Sequence, residues 1–96
     1  MKDLLKDINK AFENKTRLGI MSALVVNDRL DFNSLKNLLG VTDGNLASHL
    51  KSLEKSNYIS MKKEFLDRKP NTSYMATQEG IVAFKKHIQA IENLLK

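Results

Sequence analysis

Apolar residues recur at helical spacing through the first quarter of the chain. They form one set before Asn14 and a second set after it: Leu4, Leu5, Ile8 and Phe12, then Leu18, Ile20, Met21, Leu24 and Val25. This repeat predicts helical structure over residues 3–26, with Asn14 placed to cap a new start between the two sets. Gly19 interrupts the second set and indicates close packing, because glycine otherwise weakens a helix interior.

A short strand and a short helix are predicted next. Leu30-Asp31-Phe32 has the pattern of a very short extended segment. Asn33 is then predicted to cap a helix. Gly40 is expected to end that helix, since glycine readily adopts the left-handed conformation common at this position.

The following helix is predicted over about residues 43–56. Thr42 is a suitable N-cap, and Asp43 lies in the first turn, where an acidic side chain stabilises the positive end of the helix dipole. One face carries the leucines expected in the core: Leu46, Leu50 and Leu53. The connection to the preceding helix is too short for antiparallel stacking, so the two helices are expected to cross steeply.

A β-hairpin and a last helix complete the pattern. Apolar and polar positions alternate from Tyr58 to Phe65, turn-forming residues occupy 67–71, and Tyr74 to Ala76 predicts the returning strand. Thr77 is placed to cap a final helix that runs to the C-terminus. The predicted fold class is mainly α with a small β-hairpin (α+β). Two helices joined by a tight turn and followed by a basic hairpin recur in DNA-binding domains.

The exposed side of the helix over residues 43–56 carries the first group of candidate DNA contacts. It is small and polar near its start and basic towards its end, with candidates Asn45, Ser48, His49, Lys51, Ser52 and Lys55. Asparagine can pair with adenine through two hydrogen bonds, serine with several base edges, and lysine with guanine or phosphate. His49 lies on the flank and is better suited to backbone or phosphate than to a base. The alternative is an ordinary solvated face, which any amphipathic helix has.

The hairpin carries the second group of candidates. Arg68 and Lys69 at its tip suit phosphates or a narrow minor groove, and Lys62 and Lys63 follow the rising strand. The alternative for the two strand lysines is that they protect an edge strand against aggregation. Arg68 and Lys69 are the stronger candidates because they adjoin Pro70, which is expected to fix the turn.

Composition narrows the classes of function. The chain has 96 residues, enough for one domain, and a net charge of +5, which suits a polyanionic partner. It has no cysteine and two histidines that are distant in sequence, so no disulfide, metal site or cofactor is expected. No apolar run is long enough to span a membrane, and residues 1–7 mix acids with bases instead of forming a signal peptide. The cytoplasm is therefore the expected location.

Several motifs together resemble those of small stand-alone winged helix-turn-helix regulators of the MarR-like and ArsR-like superfamily. Residues 42–59 resemble the recognition-helix pattern T-D-G-N-L-x-x-H-L-x-x-L-E-x-x-x-Y-I, and residues 17–24 the opening pattern R-x-x-I-x-x-x-L. Residues 68–72 are similar to a wing tip. Residues 76–80 are similar to the L-T-x-E-G start of the final helix, with Ala76 in place of the leucine. The similarity covers about residues 14–84.

This resemblance implies a transcriptional regulator that binds specific sequences of double-stranded DNA as a homodimer. The recognition helix, about residues 43–56, would lie in the major groove, and the wing, about residues 59–76, on the backbone or in the minor groove. By position, the resemblance assigns groove contacts to Asn45, Ser48, His49 and Ser52, and wing contacts to Arg68 and Lys69. Metal-sensing members use cysteines or clustered histidines and acids, which this chain lacks, so metal sensing is not implied.

The terminal segments are expected to form the homodimer. Within a single domain of residues 1–96, about 14–76 would form the DNA-binding core, with residues 1–13 and 77–96 as terminal helices for dimerisation. The last helix carries apolar residues at alternating spacings of three and four: Ile81, Phe84, Ile88, Ile91 and Leu95. The alternative is that the terminal helices pack against each other within one chain.

Two other classes of function are weighed against DNA binding. An enzyme would require a nucleophile with a base, or a glycine-rich phosphate loop, and the scattered glycines and distant histidines supply neither. A winged helix used for contact with protein or RNA stays open as the alternative, since a fold alone does not determine its partner. No separate ligand domain is expected, so any effector would have to bind at the dimer interface.

Overall fold

Within residues 4–96, which the computed structural model describes, the chain forms four α-helices and a three-stranded antiparallel sheet. The elements are α1 (Lys15–Val26), β1 (Leu30–Asp31), α2 (Phe32–Leu39), α3 (Asp43–Lys55), β2 (Ile59–Leu66), β3 (Lys69–Ala76) and α4 (Gln78–Asn93). A short 3-10 turn (Lys10–Phe12), called here the N-terminal turn, precedes α1. The predicted mainly α fold with a hairpin is confirmed. The short strand β1 pairs with β3, giving the order β1-β3-β2.

The prediction of helical structure over residues 3–26, with a new start at Asn14, is wrong in its first part. Residue 3, where that helix was predicted to begin, lies outside the described residues, and residues 5–9 form turns and irregular structure. The Asn9 side chain accepts a hydrogen bond from the backbone of the N-terminal turn, and the Asn14 side chain caps α1. Such side chains compete with the helical hydrogen bonds, so they begin new segments. The predicted cap at Asn14 is confirmed.

The start of α2 also differs from its prediction. The N-cap is Asp31, not Asn33: the Asp31 carboxylate accepts the Ser34 N–H at 2.7 Å, and its backbone is extended. Asp31 is at the same time the last residue of β1, where it pairs with Ser73 of β3. Sheet pairing therefore holds Asp31 in the extended conformation that an N-cap needs, and the helix begins directly after it.

The two helix boundaries around the tight turn are as predicted. Gly40 ends α2 in the left-handed conformation, with φ of 62°, and the Thr42 hydroxyl caps α3 by accepting the Asn45 N–H at 3.1 Å. Gly19 packs closely against α2, because a Cβ placed there would lie 2.7 Å from a methyl carbon of Leu39. This close approach sets the distance between α1 and the end of α2.

The hairpin turn is shorter than the predicted segment over residues 67–71. It contains two residues, Asp67 and Arg68, whose φ angles of 52° and 66° place both in the left-handed region. Two-residue turns with two positive φ angles match the right-handed twist of paired strands. Pro70 does not form the turn as expected; it lies in β3, opposite Phe65 of β2.

The core lies where α1, α2, α3 and α4 meet the sheet. Its buried residues are Phe12, Ile20, Met21, Leu24, Leu35, Leu46, Leu50, Leu53, Ile59, Tyr74 and Phe84. The predicted burial of the three α3 leucines is confirmed.

Two residues assigned to the dimer surface belong to this core instead. Phe12 and Phe84 are buried, with their ring centroids 5.4 Å apart in an edge-to-face arrangement. Ile88 packs partly against the same core, and Ile81 is half-buried. The apolar spacing of α4 is therefore used mainly within the chain, because its buried face must cover the N-terminal turn. Ile91, near the end of the helix, and Leu95, two residues beyond it, are exposed.

Two further properties concern the described residues as a whole. None of the helices within residues 4–96 combines the length and apolar character needed to cross a membrane. In the same part of the chain, no three histidine, aspartate or glutamate side chains come together closely enough to hold a metal ion.

Candidate nucleic-acid interface

The six candidate residues of α3 divide between two faces of the helix. At 100° per residue, one set points directly away from the buried leucines and the other lies on the flank beside α1 and the N-terminal turn. The outward face carries Ser48, Lys51 and Lys55, all exposed, and the flank carries Asn45, His49 and Ser52. The structure thus brings the predicted residues onto one helix but gives them different surroundings. Their roles in DNA binding stay predictions.

Asn45, at the start of the flank, is held by a side chain of α1. The Thr16 hydroxyl donates a hydrogen bond to Asn45 Oδ1 over 3.1 Å. This contact turns the amide so that its NH₂ group points away from Thr16. Oδ1 retains a second lone pair, so Asn45 keeps both the donor and the acceptor that pairing with adenine requires.

His49, one turn further along, is held by Arg17 of α1. The Arg17 guanidinium donates through Nη1 to His49 Nδ1 over 3.1 Å and through Nε to the Ala11 carbonyl over 2.7 Å. Arginine has no acceptor, so Nδ1 of His49 must be the unprotonated nitrogen. The proton of the neutral ring therefore lies on Nε2, which is left as a hydrogen-bond donor.

The Arg17 contact extends through the N-terminal turn to α4. The Asn9 side chain accepts the Ala11 N–H over 2.9 Å, and the Asn9 N–H donates to Nδ1 of His87 over 2.9 Å. His87 is buried, and this burial, opposed only in part by Glu13, lowers its pKa below the usual value. Its ring is therefore neutral near pH 7 and can accept the hydrogen bond. A continuous hydrogen-bonded path thus joins α4 to the flank of α3.

The third flank residue lines an open, polar groove between α3 and the N-terminal turn. Besides Ser52, the groove is lined by Lys10, Arg17, Glu13 and Ser56. Hydroxyl and cationic groups of this kind suit a phosphate oxygen. The acidic Glu13 in the same groove would repel a phosphate. We therefore expect Ser52 to contribute a hydrogen bond to DNA, not to lie in a strongly phosphate-attracting site.

The wing residues stand apart from the α3 set. Arg68 occupies the turn and Lys69 is the first residue of β3, and both are exposed. The strand β2 begins in the core at Ile59 and reaches the tip seven residues later, a distance of about 23 Å at the usual rise per residue. The wing therefore presents its cations at a second, separate position on the surface.

Ion pairs on the wing change the interpretation of its charges. The Arg29 guanidinium lies 3.1 Å from one carboxylate oxygen of Glu64, and the Lys62 ammonium lies 3.8 Å from the other. Glu64 thus offsets part of the positive charge of Lys62, whereas no such ion pair is found within residues 4–96 for Lys63, Arg68 or Lys69.

Some residues at this surface were not predicted as part of it. Thr16 and Lys10 had no role assigned, and Arg17 was noted only as part of the opening motif. Thr16 is 29 residues from Asn45 and Arg17 is 32 residues from His49. No local pattern encodes contacts over such separations. The R-x-x-I-x-x-x-L motif itself was the available indication that Arg17 matters.

Comparison with known proteins agrees with this arrangement. Residues 16–95 match the model of a family described as winged helix DNA-binding domain. The chain is 38% identical over 87 residues to the uncharacterized protein MJ0432 of Methanocaldococcus jannaschii, covering 91% of this chain and 95% of that protein. The predicted resemblance to winged helix regulators is confirmed.

Solved structures share the fold over almost the whole chain. A transcriptional regulator homologue from Pyrococcus horikoshii OT3 superposes with a TM-score of 0.86 at 29% identity, over 98% of this chain and 91% of that chain. MepR of S. aureus, solved as a complex with DNA, superposes with a TM-score of 0.70 at 16% identity, over 99% of this chain and 75% of that chain.

Proposed function

Because the chain belongs to the family of winged helix DNA-binding domains, we propose that it is a transcriptional regulator that binds specific duplex sequences as a homodimer. In this proposal α3 lies in the major groove and the wing lies along the backbone or in the adjacent minor groove. The observation that carries the proposal is the outward face of α3. Ser48, Lys51 and Lys55 are exposed side by side on a helix whose opposite face is buried.

The outward face and the flank of α3 make different contacts with DNA in this proposal. Ser48 and Lys51 contact base edges or phosphates in the floor and wall of the groove, and Lys55 meets the backbone near the end of the helix. Asn45 reads a base with its amide, and His49 donates from Nε2 to a phosphate. The capped start of α3 favours this placement, since the positive end of the helix dipole faces the polyanion.

Duplex DNA is favoured over RNA or protein as the partner. The MepR structure shows a protein of this fold in complex with DNA, and the Pyrococcus horikoshii protein is described as a transcriptional regulator homologue. The net charge of +5 suits a nucleic acid. An α-helix of this polar and basic character also fits the width of the DNA major groove, whereas the major groove of an RNA helix is too narrow for it.

Exposed apolar residues at the two chain ends support the homodimer. They are Leu4, Leu5, Ile91, Leu94 and Leu95. An open groove that includes Ile91 is lined partly by apolar and partly by polar or charged residues: Ile8, Phe12, Leu18, Glu13, Asn14, Lys15 and His87. Burial of the exposed apolar residues against a second copy would remove their apolar surface from water. Two copies related by a two-fold axis would cover these residues and place two α3 helices about 34–36 Å apart, one turn of DNA.

Binding to duplex DNA is tested first without assuming a site. Random duplex, single-stranded DNA and structured RNA are compared in gel shifts at two salt concentrations, and a preferred duplex is selected from a random pool. We expect the duplex to bind best, more weakly at higher salt because phosphate contacts release counterions, and a palindrome to be enriched. Preference for RNA, or no binding to any nucleic acid, contradicts the proposal.

Variants then separate base contacts from backbone contacts. Asn45→Ala should weaken binding to the selected duplex by about 1–3 kcal/mol and change binding to random duplex little. Arg68→Ala or Lys69→Ala should weaken binding to both duplexes and lower the salt slope by about one unit per lost phosphate contact. Lys85→Ala, which removes an exposed lysine of α4, is the control and should leave the slope unchanged. An equal loss on both duplexes would remove Asn45 from the specificity role.

A further inference from the structure

The tip of the wing exposes apolar side chains among its cations. Phe65 is 76% exposed and Leu66 is 52% exposed, although both belong to the regular strand β2. Pro70, opposite Phe65 in the register, is exposed as well. A large aromatic ring at the far end of a hairpin contributes nothing to the core of its own chain. The ring is therefore available for contact with a partner.

The backbone holds Phe65 in a defined position. Because the turn has two residues, Leu66 and Lys69 are the hydrogen-bonded closing pair, and Phe65 and Pro70 form the next, non-hydrogen-bonded pair. Side chains of such a pair lie on one face and close together. Proline at position 70 removes no hydrogen bond of the β2–β3 ladder, because the backbone nitrogen at this position points away from β2. The aromatic ring thus lies beside a rigid proline instead of on a flexible loop.

The charged residues near Phe65 indicate which class of partner would bind the wing tip. Three exposed cations, Lys63, Arg68 and Lys69, lie within two residues of the apolar pair along the strands and turn, although Lys69 pairs with Leu66 on the other face. The acidic residues nearby are Glu64, which is engaged by Arg29, and the exposed Asp67 of the turn, so the tip keeps a net positive charge. A second copy of this wing would bring the same cations together and is therefore disfavoured. A polyanion with an apolar interior, which is what stacked base pairs between phosphates present, matches both the cations and the ring.

We propose that Phe65 is a wedge that enters the minor groove beside the α3 site and partly unstacks one base step. This rests on the proposed function and extends it. Arg68 and Lys69 contact the phosphates on either side, and the duplex bends towards the major groove. The wing tip lies about 23 Å along β2 from the domain core, far enough to reach a groove that α3 does not occupy.

This contact adds sequence preference at a position that no side chain reads by hydrogen bonds. Pyrimidine–purine steps such as TA and CA unstack more easily than other steps, so the wedge favours them beneath the wing. Sequence would then be read twice: by α3 through base edges, and by Phe65 through the cost of deforming one step.

The test measures unstacking and bending on the duplex selected by the unmodified protein. The fluorescence of 2-aminopurine, placed at the step beneath the wing, rises when the base unstacks, and energy transfer between the duplex ends reports the bend. We expect both signals with the unmodified protein and with Phe65→Tyr, which keeps the ring. Phe65→Ala should lose the fluorescence rise, straighten the duplex and lose the preference for TA over GC at that step.

Leu66→Ala is the matched control, because it removes an exposed apolar side chain from the opposite face of the same strand and should keep both signals. If the unmodified protein binds the duplex but produces neither signal, the wedge is wrong while the proposed function stands. The same holds if Phe65→Ala produces both signals as strongly as the unmodified protein does. If no duplex is bound at all, the proposed function itself fails. A lower molecular mass of Phe65→Ala in light scattering would show a contact between copies and overturn the wedge.

Discussion

At the scale of residues, α1 engages two side chains of α3 in hydrogen bonds. Thr16 donates to Asn45 Oδ1, and Arg17 donates to His49 Nδ1. Each contact uses one polar atom and leaves a donor, the amide of Asn45 and Nε2 of His49. Side chains oriented in advance lose less conformational freedom on binding than free ones. The flank of α3 is therefore better prepared for a specific contact than the freely exposed lysines of the outward face.

Arg17→Lys tests this orientation while keeping the charge. One ammonium group cannot reproduce the planar fork that reaches both Ala11 and His49. We expect loss of the Nε2–H preference of His49 in long-range proton–nitrogen NMR spectra. Affinity for the selected duplex should fall by about threefold to tenfold, the worth of about one hydrogen bond, with an unchanged salt slope.

The control for this prediction is Arg29→Lys, which alters another arginine, the one paired with Glu64 on the wing. It should leave the His49 spectrum unchanged. If Arg17→Lys keeps both the spectrum and the affinity of the unmodified protein, Arg17 does not position His49.

At the scale of elements, the start of α4 is joined to the junction of α3 and β2. Asn57 follows α3 with φ of 63°, and its carbonyl accepts the Thr77 hydroxyl at 2.7 Å. The Thr77 N–H donates to the Tyr58 carbonyl at 3.0 Å, and the Thr77 hydroxyl in turn caps α4. These bonds set the position of α4, and so of the proposed dimer surface, relative to the proposed recognition helix.

Gly80 permits this junction, and its replacement should disrupt it. A Cβ at Gly80 would lie 2.0 Å from the Tyr58 carbonyl oxygen, whereas a Cβ at Gly44 of α3 would meet nothing within 4 Å. Gly80→Ala should therefore destabilise the fold by about 1–3 kcal/mol. Gly44→Ala, the matched control, should be neutral or stabilising by up to about 1 kcal/mol, since alanine favours helix. Urea unfolding measures both, and equal stabilities of the two variants would show that α4 can shift away from Tyr58 at no cost.

At the scale of the whole molecule, the N-terminal segment packs against α4 within one chain. Asp7 lies 3.5 Å from Lys86 in an ion pair, the Asn9 N–H donates to His87, and Phe12 packs edge-to-face against Phe84. The alternative to a dimer contact, in which the terminal segments pack on each other within one chain, is thus correct for this part of the surface. The apolar residues that remain exposed, chiefly at the end of α4, are those available to a second copy.

Ile91→Glu combined with Leu95→Glu tests the homodimer. Both side chains are exposed, at 38% and 86%, so the single chain should keep its fold and its circular dichroism. Buried charge should prevent association, giving a monomer in light scattering. Binding to the full palindrome should weaken by about tenfold or more, because the second half-site is no longer bound intramolecularly, while binding to a half-site stays the same.

Asn93→Glu serves as the control for the added charge, since it lies two residues from Ile91 and about 200° around α4. It should remain a dimer. The homodimer proposal is wrong if the unmodified protein is monomeric at micromolar concentration and still binds a full palindrome tightly.

Features that depend on residues within about four positions of each other could be predicted from the amino-acid sequence. The caps at Asn14, Thr42 and Thr77, the left-handed Gly40 and the buried leucines of α3 follow from local hydrogen bonds and helical periodicity. The order of elements follows in turn, and with it the fold class. The same local patterns placed six candidate contacts on one helix, though not on one face.

The tertiary structure alone decided which partner each side chain has. The apolar spacing of α4 is compatible with an intramolecular or an intermolecular contact, and only the packing of Phe84 on Phe12 distinguishes them. Pairing of Asp31 with Ser73 made the aspartate the cap of α2, and the strand twist selected a two-residue turn that left Pro70 in β3. These outcomes depend on contacts between residues that are distant in the chain. A local sequence pattern does not show which of these contacts form, because their stability depends on bringing distant segments together.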